Sequence, residues 1–171
     1  YQTVFAARER TLAIAAPTAG LHFTPEILAG LQHTFITLEV GAGTFQPVKA
    51  ELLQDHVMHT ERYTVTPQAA ALIEAAPRRI AVGTTVTRVL EHCAVAQGQV
   101  TPHSGETSIF IHPPYSFRRT DALLTNFHLP KSTLFMLVCA YAGTDLMREA
   151  YRQAIAARYR FYSYGDCMLI V

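Results

Sequence analysis

An apolar run, Ala122-Leu123-Leu124-Thr125, leads into Asn126-Phe127-His128, is broken at Pro130, and gives way to a second apolar stretch behind Ser132. Few arrangements of backbone accept that order. The run reads as a buried strand, and the Ser132 hydroxyl can cap a helix over 133–142. Polar, proton-carrying side chains then stand at the end of a buried strand, facing a helix N-terminus. Open α/β sheets take ligands at such places. The same residues also read as a plain strand end followed by a capped helix.

The pattern recurs along the chain. Thr24-Pro25-Glu26 starts a short helix that stops near Gly30, and Thr66-Pro67 caps another through Ala76. Residues 34–40 read as a strand, 41–44 as a flexible loop and 79–83 as a short buried strand. A helix is expected from Thr84 to about Ala96, a polar loop over 97–106, and a strand over 108–112 stopped by Pro113-Pro114. After the helix over 133–142, Thr144 or Asp145 caps a last one. Its Leu146, Met147, Ala150, Tyr151, Ala154 and Ile155 recur at helical spacing. Residues 167–171 form a terminal strand. Helices alternating with short apolar strands predict a single layered α/β/α domain over 1–171 with a largely parallel or mixed sheet.

Half of the residues are apolar, enough for a folded core, yet no stretch approaches the roughly 20 apolar residues of a membrane span. Tyr1 opens the chain without Met or a basic leader, so a piece of a longer protein is expected. The three cysteines, Cys93, Cys139 and Cys167, form no CxxC pair and read as reduced thiols in a cytoplasmic protein. A net charge of +1 exerts no global pull on nucleic acid. Local basic groups remain at Arg78-Arg79, Arg118-Arg119, Arg148, Arg152, Arg158 and Arg160, most of them readable as a solvated face.

Five segments carry groups suited to chemistry. In 15–23, Thr18 and Gly20 allow close backbone approach and His22 can move a proton near neutral pH; a tight turn with His22 bonded to backbone fits equally. In 39–47, Glu39 precedes Gly41, Gly43 and Thr44, a glycine pair suited to an adenosine or phosphate group but lacking the third glycine of a dinucleotide site. Val82-Gly83-Thr84-Thr85, with Arg88 a turn later, offers helix N–H groups and hydroxyls to a carboxylate or other anion, or is a simple helix start. His56-Val57-Met58-His59-Thr60-Glu61 has His-x-x-His spacing but no HExxH, and no metal is expected. In 159–166, tyrosines interleaved with Arg160 can stack on bases or lid the core, and Asp166 can accept from a ribose hydroxyl or a base amine.

Taken together, AAPTAGLHFT, VGAGTFQPV, MHTERY, AVGTT, IFIHPPY, DALLTNFHLPKSTL and YRFYSYGD closely resemble the S-adenosylmethionine:tRNA ribosyltransferase-isomerase family of queuosine biosynthesis. They keep the family's order and span nearly the whole chain. The resemblance implies transfer of the ribosyl part of S-adenosylmethionine onto 7-aminomethyl-7-deazaguanine at the tRNA wobble position, giving epoxyqueuosine, adenine and methionine. It implies tRNA, through its anticodon stem-loop, and S-adenosylmethionine as partners, and neither a metal nor a membrane. It also implies that this chain lacks the family's inserted β-rich domain. A monomer is expected.

Such chemistry needs a base near the ribose, a proton donor for adenine, a dry pocket and contacts to a flipped base. Chemistry and placement suggest His128 or His22 as acid or base, with Asp166 and Glu39 beside them. Thr18, Gly20, Gly41, Gly43, Thr44, Gly83, Thr84, Thr85 and Asn126 would hold the co-substrate. Arg88, Arg118, Lys131 and Tyr164 would meet the tRNA. Two positions depart from the family's pattern: Glu39 stands where a His is usual, and Val86 where a Ser is usual. A carboxylate there leaves open a second reading, a nucleoside-binding paralogue without turnover. An ordinary methyltransferase is disfavoured, because its GxGxG strand end with a following acidic residue is missing.

Overall fold

A computed structural model describes residues 1–7, 15–39 and 53–171 of the chain. Gly41, Gly43 and Thr44 lie outside the described residues. A 3-10 turn over Thr18–His22 is followed by α1 (Pro25–Ala29), β1 (Thr37–Glu39), β2 (Glu61–Val65) and α2 (Pro67–Ala75). Then come β3 (Ile80–Val82), α3 (Thr84–Gln97), β4 (His103–Thr107), β5 (Ala122–Asn126), α4 (Thr133–Ala142), α5 (Thr144–Ala156) and β6 (Cys167–Ile170).

Local chemistry accounts for the helix starts. Thr24, Thr66 and Ser132 each accept, through the side-chain oxygen, the backbone N–H three residues on, satisfying one donor that the first turn leaves open. Pro25 and Pro67 occupy the first helical position, where a missing N–H costs nothing. The last helix departs from expectation. Neither Thr144 nor Asp145 caps it; Gly143, at φ 91°, ends α4 and begins α5.

The strands form two sheets. β1-β2-β4 is antiparallel, with Arg62 opposite Glu106 and Tyr63 opposite Gly105. β3-β5-β6 is mixed: β3 runs parallel to β5, and β6 returns antiparallel to it. The fold is α/β, and among the described strands parallel pairing is confined to β3 and β5.

β4 occupies part of the segment expected to be a loop. It has no apolar alternation to betray it and is held by cross-strand polar pairs, Arg62–Glu106 at 2.9 Å and Thr64–Ser104 at 2.9 Å. The neighbouring 108–112, expected as a strand, is irregular, although Ile111 is buried.

A shared core unites both sheets. Tyr63 and Val65 of β2 pack with Ala81 of β3, Leu123 of β5, Val89 and Cys93 of α3, and Leu137 and Val138 of α4. A second cluster sits under the end of β5, where Phe127, Tyr151 and Ala154 pack with Phe135, Phe161 and Met168. Its rings meet edge to face, Phe127–Tyr151 at 5.3 Å and Phe135–Tyr151 at 4.8 Å. This cluster fixes the strand end that carries Asn126 and His128. Among the described residues, no helix is long and apolar enough to cross a membrane.

Candidate active site

Because β3 and β5 are parallel, their C-terminal ends fall on the same edge of the mixed sheet, the edge where α/β sheets bind ligands. A cleft of about 1170 Å³ opens there. Val82, Gly83, Thr84 and Thr85 form one wall, Thr125, Asn126 and His128 another, and Thr18 and Ala19 of the 3-10 turn a third. Phe5 and Phe35, their ring centroids 5.0 Å apart, add an apolar surface. Glu39, Tyr162 and Ser163 also line it.

The wall at Gly83 is shaped by its backbone. Gly83 has φ 97° and ψ 147°, a conformation open essentially to glycine. Its N–H donates to Leu124 O at 2.8 Å, tying the turn to β5, and its carbonyl accepts from Thr87. No side chain caps α3. The first N–H groups of a fourteen-residue helix therefore meet the cleft beside Thr84 and Thr85, an arrangement that favours an anionic group.

At the end of β5, Thr125 Oγ1 lies 2.8 Å from His128 Nε2, with both residues buried. The His128 backbone N–H donates to Tyr151 Oη at 2.9 Å. Burial pushes the His128 imidazole down to about 4, so it is neutral at physiological pH. Burial likewise pushes the Tyr151 hydroxyl up to about 12. Asn126 Nδ2 reaches both His22 Nε2 and Gly165 O at 3.4 Å. His22 itself is exposed, at the rim rather than among the residues lining the cleft.

The stretch from Arg160 to Asp166 folds back over this strand end. Tyr162 N–H donates to Phe127 O at 2.9 Å, and Asp166 grips Arg160 at both its backbone N–H and its guanidinium, each at 2.7 Å. That pairing holds the Asp166 carboxyl below the usual carboxylate range. Gly165 is required by packing: a Cβ there would come within 2.4 Å of Arg160 O.

Several expected site residues take other parts. Arg88 is not available to a phosphate. It is 2 % exposed, its Nη1 lies 2.7 Å from Glu61 Oε2, and its Nε donates to Ile109 O. The helical spacing that suggested a second anion contact turns it into the core. Asp166 clasps its own loop. Gly20 is buried beneath Phe5 and does not line the cleft. Arg118, Lys131 and Tyr164 are exposed, and none of them lines the cleft. Arg118 presents its side chain from a loop held by the buried carboxylate of Glu91, which accepts the N–H groups of Arg118 at 2.8 Å and Arg119 at 2.9 Å.

The structure adds to the cleft Thr125, Phe35 and Ser163, which the sequence did not single out, and Arg78, which the sequence offered only as one of several local basic groups. Arg79 is tied to Asp121 at 2.9 Å, whereas Arg78 has no ion pair among the described residues. Arg78 stood in a basic pair in the sequence. Its place on the cleft depends on the turn between α2 and β3, which no local pattern specifies.

The cleft lies at the strand-end edge of an α/β fold, and the chain belongs to the queuosine biosynthesis protein family, whose model matches residues 1–170. It is 56% identical to the S-adenosylmethionine:tRNA ribosyltransferase-isomerase of Methylocella silvestris, over 99% of this chain and 49% of that protein. It is 55% identical to the protein of the same name from Moorella thermoacetica, over 100% of this chain and 52% of that one. A crystal structure of S-adenosylmethionine tRNA ribosyltransferase from Thermotoga maritima superposes with a TM-score of 0.73 at 42% identity, covering 90% of this chain and 51% of that one. The chain thus spans about half the length of the curated relatives it matches.

Proposed function

We propose that the chain is the α/β part of an S-adenosylmethionine:tRNA ribosyltransferase-isomerase. It would take S-adenosylmethionine as ribosyl donor and modify 7-aminomethyl-7-deazaguanine in the tRNA anticodon loop, in the cytoplasm. The observation that supports this most directly is the 56% identity to a relative of that name, over 99% of the chain. The cleft's chemistry agrees with a nucleoside carrying a carboxylate. The open N-terminus of α3 with Thr84 and Thr85 suits the methionyl carboxylate, with Arg78 as a second positive group. Phe5 and Phe35 suit a flat base.

In this reading a base takes a proton from the ribose 5′ carbon, which the sulfonium acidifies. The ribosyl skeleton becomes bonded to the aminomethyl nitrogen of the modified base, which gives up a proton. The C1′–N bond to adenine breaks and adenine leaves with a proton, an epoxide closes, and the C–S bond breaks with its electron pair leaving on methionine. No step calls for a metal. His22, exposed beside Asn126, is better suited to proton exchange than the buried, neutral His128. Glu39, which lines the cleft, can face the sulfonium. Arg118, Lys131 and Tyr164, exposed outside the cleft, remain candidate tRNA contacts.

The test is incubation with S-adenosylmethionine and tRNA bearing the 7-deazaguanine precursor, followed by chromatography for adenine and nucleoside mass spectrometry. Adenine with epoxyqueuosine is the expected outcome. Saturable S-adenosylmethionine binding without adenine would reduce the chain to a binding module, and S-adenosylhomocysteine would overturn the reading in favour of methyl transfer.

A further inference from the structure

We infer that Thr125 locks His128 as the neutral, Nδ1-protonated tautomer, so that His128 offers the bound nucleoside a hydrogen-bond donor rather than a lone pair for proton abstraction. The identity of the nucleoside rests on the functional reading above; the tautomer does not.

The geometry carries the argument. Thr125 is 1 % exposed, and the contact between its Oγ1 and His128 Nε2 is its one side-chain hydrogen bond among the described residues. A threonine hydroxyl has a single proton. If Nε2 carried hydrogen, that hydroxyl proton would point at another donor or be buried without an acceptor, which is the costly arrangement. Donation from Oγ1 to Nε2 satisfies both groups and leaves the imidazole proton on Nδ1.

Nδ1 has no hydrogen-bond partner among the described residues, although His128 is 8 % exposed. It is not sealed from solvent in the way that the unpartnered Thr3 Oγ1 and Thr120 Oγ1 are, and His128 lines the cleft. The Nδ1 edge is therefore the one left for a ligand. The residue is also held still. Its backbone N–H is bound to Tyr151 Oη, and the preceding Phe127 is wedged against Tyr151 and Phe161, both at 5.3 Å. Burial disfavours the imidazolium, in agreement with a neutral donor.

A fixed neutral N–H pairs with an acceptor on the nucleoside, a purine ring nitrogen or a ribose oxygen. It discriminates against compounds that place a donor there. Thr125 is then a positioning residue that acts through His128.

Nitrogen-15 NMR of the histidines in this chain at pH 7, without ligand, tests the tautomer. The His128 resonances are assigned by their loss in His128→Asn. Nδ1 protonated in the parent and in Thr125→Ser, with a mixed or Nε2-protonated ring in Thr125→Val, is the expected result. Calorimetry with S-adenosylmethionine then shows binding about tenfold weaker in Thr125→Val, the worth of one hydrogen bond, and restored in Thr125→Ser. An Nε2-protonated ring in the parent overturns the inference, and so does an unchanged tautomer in Thr125→Val. S-adenosylmethionine failing to bind the parent, with the tautomer as stated, would sink the functional reading and leave the Thr125–His128 relationship standing.

Discussion

Arg88 Nη1 lies 2.7 Å from Glu61 Oε2, and the two side chains are 3% and 0% exposed. The pair ties α3 to β2, the central strand of the antiparallel sheet. Removing one partner of a buried ion pair costs about 3–5 kcal/mol, because the other charge loses its counter-ion in a dry setting. Arg88→Met is expected to lower stability by that order, read as a fall in the urea midpoint. RNA affinity of the fraction that remains folded should be unchanged. A well-folded variant with selectively weakened RNA binding would return Arg88 to the binding surface.

Gly83 holds φ 97° where α3 begins, and a Cβ placed there would meet only Ala19 Cβ, at 3.9 Å. The cost of Gly83→Ala is therefore backbone strain and not collision, about 1–3 kcal/mol. Thermal unfolding should show the loss. S-adenosylmethionine affinity should fall as well, because the turn aims the first N–H groups of α3. An unchanged melting temperature would mean that the turn tolerates a side chain.

His128 predicts a pH dependence. Its imidazole sits at about 4 when folded, against 6.5 ordinarily. Between these values the unfolded chain holds a proton that the folded chain does not, so stability rises with pH across the window. The contribution is complete above about pH 6.5 and falls away toward pH 4, by roughly 3 kcal/mol in total. Urea midpoints measured from pH 7 to pH 4 should fall more steeply in the parent than in His128→Asn. Parallel curves would show that His128 is protonated inside the fold.

Asp166 grips Arg160 through both its backbone N–H and its side chain. Asp166→Ala should raise hydrogen-exchange rates across 160–166 and at His128, whose strand end that stretch covers. Arg160→Ala should do less, since the bond from its backbone N–H survives. If Asp166→Ala abolished adenine release with exchange unaltered, Asp166 would be a contact to the substrate instead of a clasp.

Much of this architecture was written locally. Thr24, Thr66 and Ser132 cap helices through bonds spanning three residues, and the apolar run of β5 announces itself without reference to anything distant. That Gly83, Thr84, Asn126 and His128 would stand together at the candidate cleft was legible for the same reason: each stands at a strand end or a helix start. β4 was not legible, because a polar strand exists only through partners in β2, such as Tyr63, whose hydroxyl meets His103 of β4 40 positions away.

What the sequence determined by itself was the order of elements and the family, since both are carried by short contiguous motifs. Only the tertiary structure decided what each polar group does. It turned Arg88 inward to Glu61, gave Asp166 to Arg160, brought Arg78 to the cleft, and set Thr125 against His128. Whether a charge or a ring nitrogen is buried, paired or free depends on neighbours brought together by packing, and that information is not local.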